Sequence, residues 1–133
     1  MGYDVVGVDN INDYYDQNIK LSAIAEIEKV AADLGAYFKF YKADITNLES
    51  MGIVFGTHKL THVCHLAAQA GVRHSILHAP ENILINITGT INLLELIKEA
   101  GDITLTFASS SSVYGQSSTA PFSEDQVCDQ YRF

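Results

Sequence analysis

The chain has 133 residues, 47% of them hydrophobic and 18% charged, a balance that suits one folded domain and excludes a disordered chain. Its net charge of −8 excludes nucleic acid and an anionic membrane surface as partners, while leaving room for a small anion held by backbone N–H groups. No apolar run is long enough to span a bilayer and no basic-then-apolar leader opens the chain, so a cytoplasmic location is expected.

YDVVGVD (3–9) is a short apolar run ending in an acid, and predicts a strand. After the polar turn NINDYYDQN, apolar residues recur at helical spacing from about Ile19 through Ala23, Ile24, Ile27, Val30, Ala31 and Leu34, and Gly35 stops the helix. AYFKFYKAD (36–44) alternates aromatic and polar residues as a second strand, and Asp44 or Thr46 is placed to cap a short helix reaching about Phe55. THVCHLAA (61–68) is a third strand, with Cys64 as a small core hydrophobe. A helix from near Pro80 to Ala100 carries Ile83, Leu84, Ile87, Ile91, Leu94 and Ile97 on one side, and Gly101 follows it. ITLTFAS (103–109) is the fourth strand, and Cys128 falls in a polar tail, so two free thiols and a reducing compartment are expected. This alternation predicts an α/β protein with a doubly wound parallel sheet of about four strands, covered by helices on both faces.

Asp9 ends the first of these strands. In a dinucleotide-binding sheet an acid there hydrogen-bonds the adenosine ribose hydroxyls and repels a 2′-phosphate. Asn10, Ile11 and Asn12 follow with no arginine among them, which favours NAD over NADP, although an Asp in this place also starts ordinary turns. Asp44-Ile45 ends the next strand, either beside an adenine or as a helix N-cap. LAAQAG (66–71) puts small residues at a strand end, where a cofactor can approach the backbone closely. FASSSSVYGQ (107–116) sets serine hydroxyls at the carboxyl end of a strand, where open α/β sheets bind ligands, yet a hydroxyl needs a base to react. His74 and His78 share a helical face at i, i+4, but HSILH lacks a glutamate at its second position and no third ligand is evident. His62 and His65 have opposite parity on one strand and point to different faces. No metal site is therefore expected.

The stretches GYDVVGVDNINDYYD, FYKADITN, HVCHLAAQAGVRHSI, NITGTINLLE, ASSSSVYG and APFSED occur in this order and together resemble the extended short-chain dehydrogenase/reductase family. Within it they are most similar to the nucleotide-sugar 4-epimerases, and among these to the UDP-glucuronate 4-epimerases. The resemblance implies a Rossmann-like NAD-binding domain and a nucleotide-sugar substrate oxidised and reduced at C4 through a 4-keto sugar. It implies Ser110 as the catalytic hydroxyl, three residues before Val113, hydrogen-bonding the sugar O4. Asp9, Asn10, Asp44, Ile45, Leu66, Ala67, Ala68 and Asn86 match NAD-contacting positions, and Gln69, Gly71, Val72 and Arg73 match the side facing the sugar nucleotide. Related 4,6-dehydratases carry acids where this chain has Ser111 and Ser112, and decarboxylases tend to carry Glu at the latter, so an epimerase is the closer likeness.

The resemblance also implies parts that the sequence does not contain. A glycine-rich G-x-x-G-x-x-G turn should lie well before the ribose acid, but only eight residues precede Asp9. The Tyr-x-x-x-Lys pair should begin just past Phe133, and Tyr131 is followed only by Arg132 and Phe133. Residues 1–133 are thus expected to be a partial NAD-binding domain lacking its first strand, with no substrate-binding domain, weak or absent NAD affinity and no turnover alone. The alternative is a non-catalytic binding or assembly module of the same fold, or part of a dehydratase or decarboxylase. The strands flanking the absent central one are expected to close up and pair directly, ahead of the alternative that a second chain fills the gap. At least a homodimer is expected.

Overall fold

Two parallel strand pairs carry the architecture. The computed structural model describes residues 2–115 and 120–126, so Cys128 and Tyr131 lie outside the described residues. The β-branched run of β1 (Val5–Asp9) pairs in parallel with the aromatic-rich β2 (Phe38–Lys42), Val5 opposite Phe38 and Asp9 opposite Lys42. The connecting α1 (Gln17–Leu34) starts where Asp16 accepts the N–H of Asn18, and ends at Gly35 in the left-handed conformation (φ 64°) that glycine adopts without strain. β3 (His62–His65) pairs in parallel with β4 (Thr104–Phe107), His62 opposite Thr104. Between them run α3 (Val72–Leu77), α4 (Ala79–Ile83), a π-helical segment (Leu84–Gly89) and α5 (Thr90–Ala100).

Between β2 and β3, α2 (Leu48–Thr57) packs on α5. Their contact makes the core of Ile45, Met51, Leu93 and Leu96, with Val8, Ala43, Phe55 and Ile85 against it. Asn47, not Asp44 or Thr46, caps α2, its side chain accepting the N–H of Ser50 at 2.9 Å. Asp44 is already committed to a turn with Thr46, so the cap passes to the next side chain able to accept.

The expected direct pairing of β1 with β3 does not occur among the described residues: β1 pairs with β2, and β3 with β4. Packed helices stand about 8–10 Å apart, roughly two strand spacings of about 4.8 Å. With α2 and α5 side by side over the gap, closing it by one strand would force them to interpenetrate. Further locks oppose the slide, for Asn92 Nδ2 donates to the Ile45 carbonyl at 2.9 Å and Ile45 fills the space over Gly89.

The expected cover is incomplete, although α1 packs on β2. No residue of α1 is buried, and β4 leaves Phe107 exposed. Cys64, expected in the core, is exposed. The long helix buries Leu93 and Leu96, whereas Ile83, Leu84, Ile87, Ile91 and Leu94 of the expected core stripe face outward. The helical period is there; the neighbour that would cover the stripe is not found among the described residues. Among the described residues no helix is long and apolar enough to cross a membrane.

Candidate functional site

Parallel register brings the carboxyl ends of β1 and β2 together, and each is followed by a turn closed by its own side chains. Asp9 Oδ1 accepts the N–H of Ile11 at 2.6 Å, and Asn10 Oδ1 accepts the N–H of Asn12 at 3.0 Å. These bonds hold the buried Ile11 at φ 51°, a left-handed conformation costing roughly 1–2 kcal/mol in a residue with a Cβ. From α1, Lys20 Nζ reaches Asp9 Oδ1 at 3.0 Å and Asn12 Oδ1 at 3.1 Å. The ion pair is partly exposed and contributes less than about 1 kcal/mol. Its consequence is orientation: with Oδ1 engaged twice, Oδ2 of Asp9 takes no hydrogen bond among the described residues.

Asp44 ties the second turn to the first. Its Oδ2 accepts from Asn10 Nδ2 at 2.8 Å, and its Oδ1 accepts the Thr46 N–H at 2.8 Å and hydroxyl at 2.7 Å. Burial works to raise the Asp44 pKa, but the bonds from Asn10 and Thr46 together outweigh it and hold the carboxyl below its ordinary range. Asp44 is therefore a charged organiser of both strand ends.

Beyond β3 the backbone is held from the helix side. Asn86 Oδ1 accepts the Gln69 N–H at 2.8 Å and Asn86 Nδ2 donates to the Gln69 carbonyl at 3.1 Å, as a neighbouring strand would. The Gln69 side chain is buried, and its Nε2 has no hydrogen-bond partner among the described residues, an arrangement costing about 1–3 kcal/mol unless a ligand accepts from it. His65, buried at the end of β3, lies 3.0 Å from Thr90 Oγ1 through Nε2, and burial holds its pKa below the usual histidine value. His62, of opposite parity, is exposed.

A cleft of about 210 Å³ lies between the two sets of strand ends, lined by Asp9, Asn10, Ile45, Leu66, Ala67, Ala68 and Gln69 together with Tyr14, Tyr15 and Lys20. Asp44 borders an adjoining, more open groove of about 320 Å³ with Asn10 and Asn12. Asn86 acts from behind, through the Gln69 backbone. Gly71, Val72 and Arg73 are exposed at the start of α3 and lie outside the cleft lining, as does Ser110. Ser110 caps a 3₁₀ turn over Ser111–Tyr114, its Oγ accepting the Ser112 N–H at 3.2 Å and donating to Ser112 Oγ at 3.1 Å. Tyr14, Tyr15 and Lys20 were not foreseen, because a polar turn and the exposed face of a helix carry no periodic signal. Glu81 was also passed over; the fold sets it 3.8 Å from His74, and its place three residues after His78 was visible in HAPE.

The residues fit part of a dinucleotide. Binding sites for cofactor-sized ligands enclose about 300–1,000 Å³, so the cleft suits a nucleoside better than a whole dinucleotide. The open Asp9 Oδ2 offers an acceptor to ribose hydroxyls, and Gln69 Nε2 an unspent donor. The chain contains no G-x-x-G-x-x-G turn to cradle a pyrophosphate.

Parallel strands with crossover helices, and a cleft at the strand carboxyl ends, define a Rossmann-like fold. The sequence model of the GDP-mannose 4,6 dehydratase family matches residues 1–130, and the chain belongs to that family of NAD-dependent short-chain epimerases and dehydratases. It is 46% identical over 129 residues to the UDP-glucuronate 4-epimerase of Thermodesulfobacterium geofontis, covering 96% of this chain and 38% of the relative. It is 41% identical over 130 residues to UDP-glucuronate 4-epimerase 2 of Arabidopsis thaliana, covering 97% of this chain and 29% of the relative. The structure of UDP-glucose 4-epimerase from Bifidobacterium longum in complex with NAD+ and UDP superposes with a TM-score of 0.75 at 27% identity, over 96% of this chain and 36% of that one. The chain thus spans little more than a third of these relatives at most.

Proposed function

We propose that residues 1–133 form the adenosine-binding portion of the NAD site of a nucleotide-sugar 4-epimerase, with a UDP-sugar of the glucuronate type as substrate. The observation that carries this reading is the cleft in which Asp9, with one carboxylate oxygen open, faces the small-residue turn Leu66–Ala68. Asp9 Oδ2 accepts from the adenosine ribose hydroxyls, and Asp44 keeps Asn10 and the strand ends in place. Asn86 fixes the Gln69 backbone, so that Gln69 and the alanines form a preset wall. Bound NAD supplies the hydride acceptor and donor that C4 inversion needs. Ser110 is the hydroxyl assigned to the sugar O4; to act it must exchange its bond to Ser112 for one to substrate. Among the described residues, the partners of its side chain are groups of Ser112. Serines at 111 and 112, in place of acids, support epimerisation over elimination or decarboxylation.

We infer further that two copies associate through the exposed stripe Ile83, Ile87, Ile91 and Leu94, an apolar helix face too continuous to stay in water. A cytoplasmic setting, where the exposed Cys64 stays reduced, completes the reading.

Ligand-observed NMR with NAD and NADP tests the cofactor claim. Saturation transfer to the adenosine protons of NAD is expected, at an affinity weaker than about 1 mM, and Asp9→Ala is expected to abolish it. Stronger transfer to NADP than to NAD, or transfer unchanged in Asp9→Ala, would refute the assignment.

A further inference from the structure

We propose that the corner joining α3 to α4 binds a late first-row divalent cation, of which Zn²⁺ is the one to test, through His74, His78 and Glu81. The N–H of His78 donates to the His74 carbonyl at 2.8 Å, so the two histidines stand one helical turn apart on one face. Their rings stack with centroids 4.5 Å apart. The next turn starts at once, Asn82 N donating to the His78 carbonyl at 3.1 Å, and it returns Glu81 to the same face. Its carboxylate lies 3.8 Å from His74 Nε2, and one donor atom from each of the three residues lies within 4.8 Å of the others.

Zinc holds nitrogen and oxygen ligands at about 2.0–2.2 Å, which sets donors in a tetrahedral site about 3.3–3.5 Å apart. The cluster must therefore tighten by about an ångström. Side-chain torsions supply this, because His78 and Glu81 are exposed and His74 is half-buried. Two neutral imidazoles and one carboxylate suit Zn²⁺, Ni²⁺ or Cu²⁺ and give Mg²⁺ or Ca²⁺, which want oxygen, little reason to bind. The remaining coordination position is open to water.

The outer contacts favour metal on His74 Nε2. That bond requires a proton on Nδ1, and Nδ1 faces the buried Asn82 amide at 3.2 Å. With its amide turned over, Asn82 accepts this proton through Oδ1, as the outer partners of zinc-bound histidines commonly do. The turn gives up two long bonds of 3.4 Å, one from Asn86 Nδ2, which keeps the Gln69 carbonyl, and one from Asn82 Nδ2 to the His78 carbonyl. The Tyr14 ring meets His74 edge-on at 5.3 Å while its hydroxyl donates to the Ala70 carbonyl, so a metal-held His74 would brace one wall of the cleft.

The test is calorimetric titration of tag-free, chelator-treated chain with ZnCl₂ and, separately, MgCl₂. One Zn²⁺ per chain at a micromolar dissociation constant is expected, with no heat from Mg²⁺. Cobalt in place of zinc should give visible d–d bands of a low-coordinate nitrogen and oxygen site. His78→Ala and Glu81→Gln, both at exposed positions, should each weaken Zn²⁺ binding about tenfold or more, with the circular dichroism spectrum unchanged. Asn82→Ala should weaken it about 10–100-fold. His62→Ala and Cys64→Ser should leave it as it is. A dissociation constant weaker than about 100 µM, binding retained in His78→Ala, binding lost in His62→Ala or Cys64→Ser, or equal binding of Mg²⁺ would each overturn the proposal.

Discussion

Gly89→Ala puts the interlock between the two halves of the fold to the test. Gly89 closes the π-helical segment with helical dihedrals (φ −58°, ψ −42°), so its backbone asks for no glycine, and alanine should gain about 1 kcal/mol in helix propensity. A Cβ there, however, would stand 2.6 Å from both Cδ1 and Cγ1 of Ile45 and 3.4 Å from its Cβ. Ile45 is β-branched and buried against Met51, Leu93 and Leu96, with its carbonyl held by Asn92, so it has little room to yield. Overpacking of this kind costs about 1–3 kcal/mol, and contact with two atoms of a fixed side chain places it near the upper end. The net expectation is a loss of about 2 kcal/mol, a fall in Tm of roughly 6–8 °C for a chain of this size. Urea titration of wild type, Gly89→Ala, Ile45→Ala and the double variant measures it, and the double variant should recover about 1 kcal/mol or more relative to additivity. A Gly89→Ala protein as stable as wild type, or a double variant whose losses simply add, would refute the reasoning.

Three further expectations follow from the same geometry. His65 is buried with its pKa below the unfolded value near 6.5, so the unfolded chain binds the extra proton first. Stability should therefore be full above about pH 6.5 and fall as pH drops toward the folded value, a dependence that His65→Gln should flatten in pH-stepped denaturation. Ile87→Glu, in the middle of the exposed helix stripe, should turn a dimer into a monomer by sedimentation velocity; a wild-type chain already monomeric at micromolar concentration would contradict the interface. The purified chain with added NAD should show no conversion of UDP-glucuronate, and conversion that disappears in Ser110→Ala would show that the hydroxyl finds a base this account does not supply.

The elements were legible in the sequence wherever a local signal acts locally. Gly35 stops α1 because a left-handed cap needs glycine, and the apolar runs ending in Asp9 and before Leu66 became parallel strands. What the periodicity did not carry was the identity of the neighbour. Ile83, Ile87, Ile91 and Leu94 read as a core stripe because spacing reports one face of a helix, not what covers that face. Cys64 was misjudged in the same way. Strand ends with Asp9, Asn10 and Leu66–Ala68 were readable from the chemistry a cofactor needs, and these residues do converge on one cleft. Lys20 and Tyr14 arrive there through tertiary geometry alone. Asp44 shows both sides of the problem, since it sits at the expected strand end yet organises the turn with Asn10 and Thr46 and leaves the helix cap to Asn47.

The most direct measurement is a ¹H–¹⁵N correlation spectrum of the chain titrated with NAD. The account predicts that the largest shifts fall on the backbone amides of Asp9, Asn10, Leu66, Ala67, Ala68 and Gln69, the lining of the cleft between the two strand pairs. Adenosine alone should reproduce most of them, because the proposed site takes that half of the cofactor. Shifts confined to other surfaces, or no concentration-dependent shift even at tens of millimolar NAD, would contradict the claim that these strand ends form a nucleotide site.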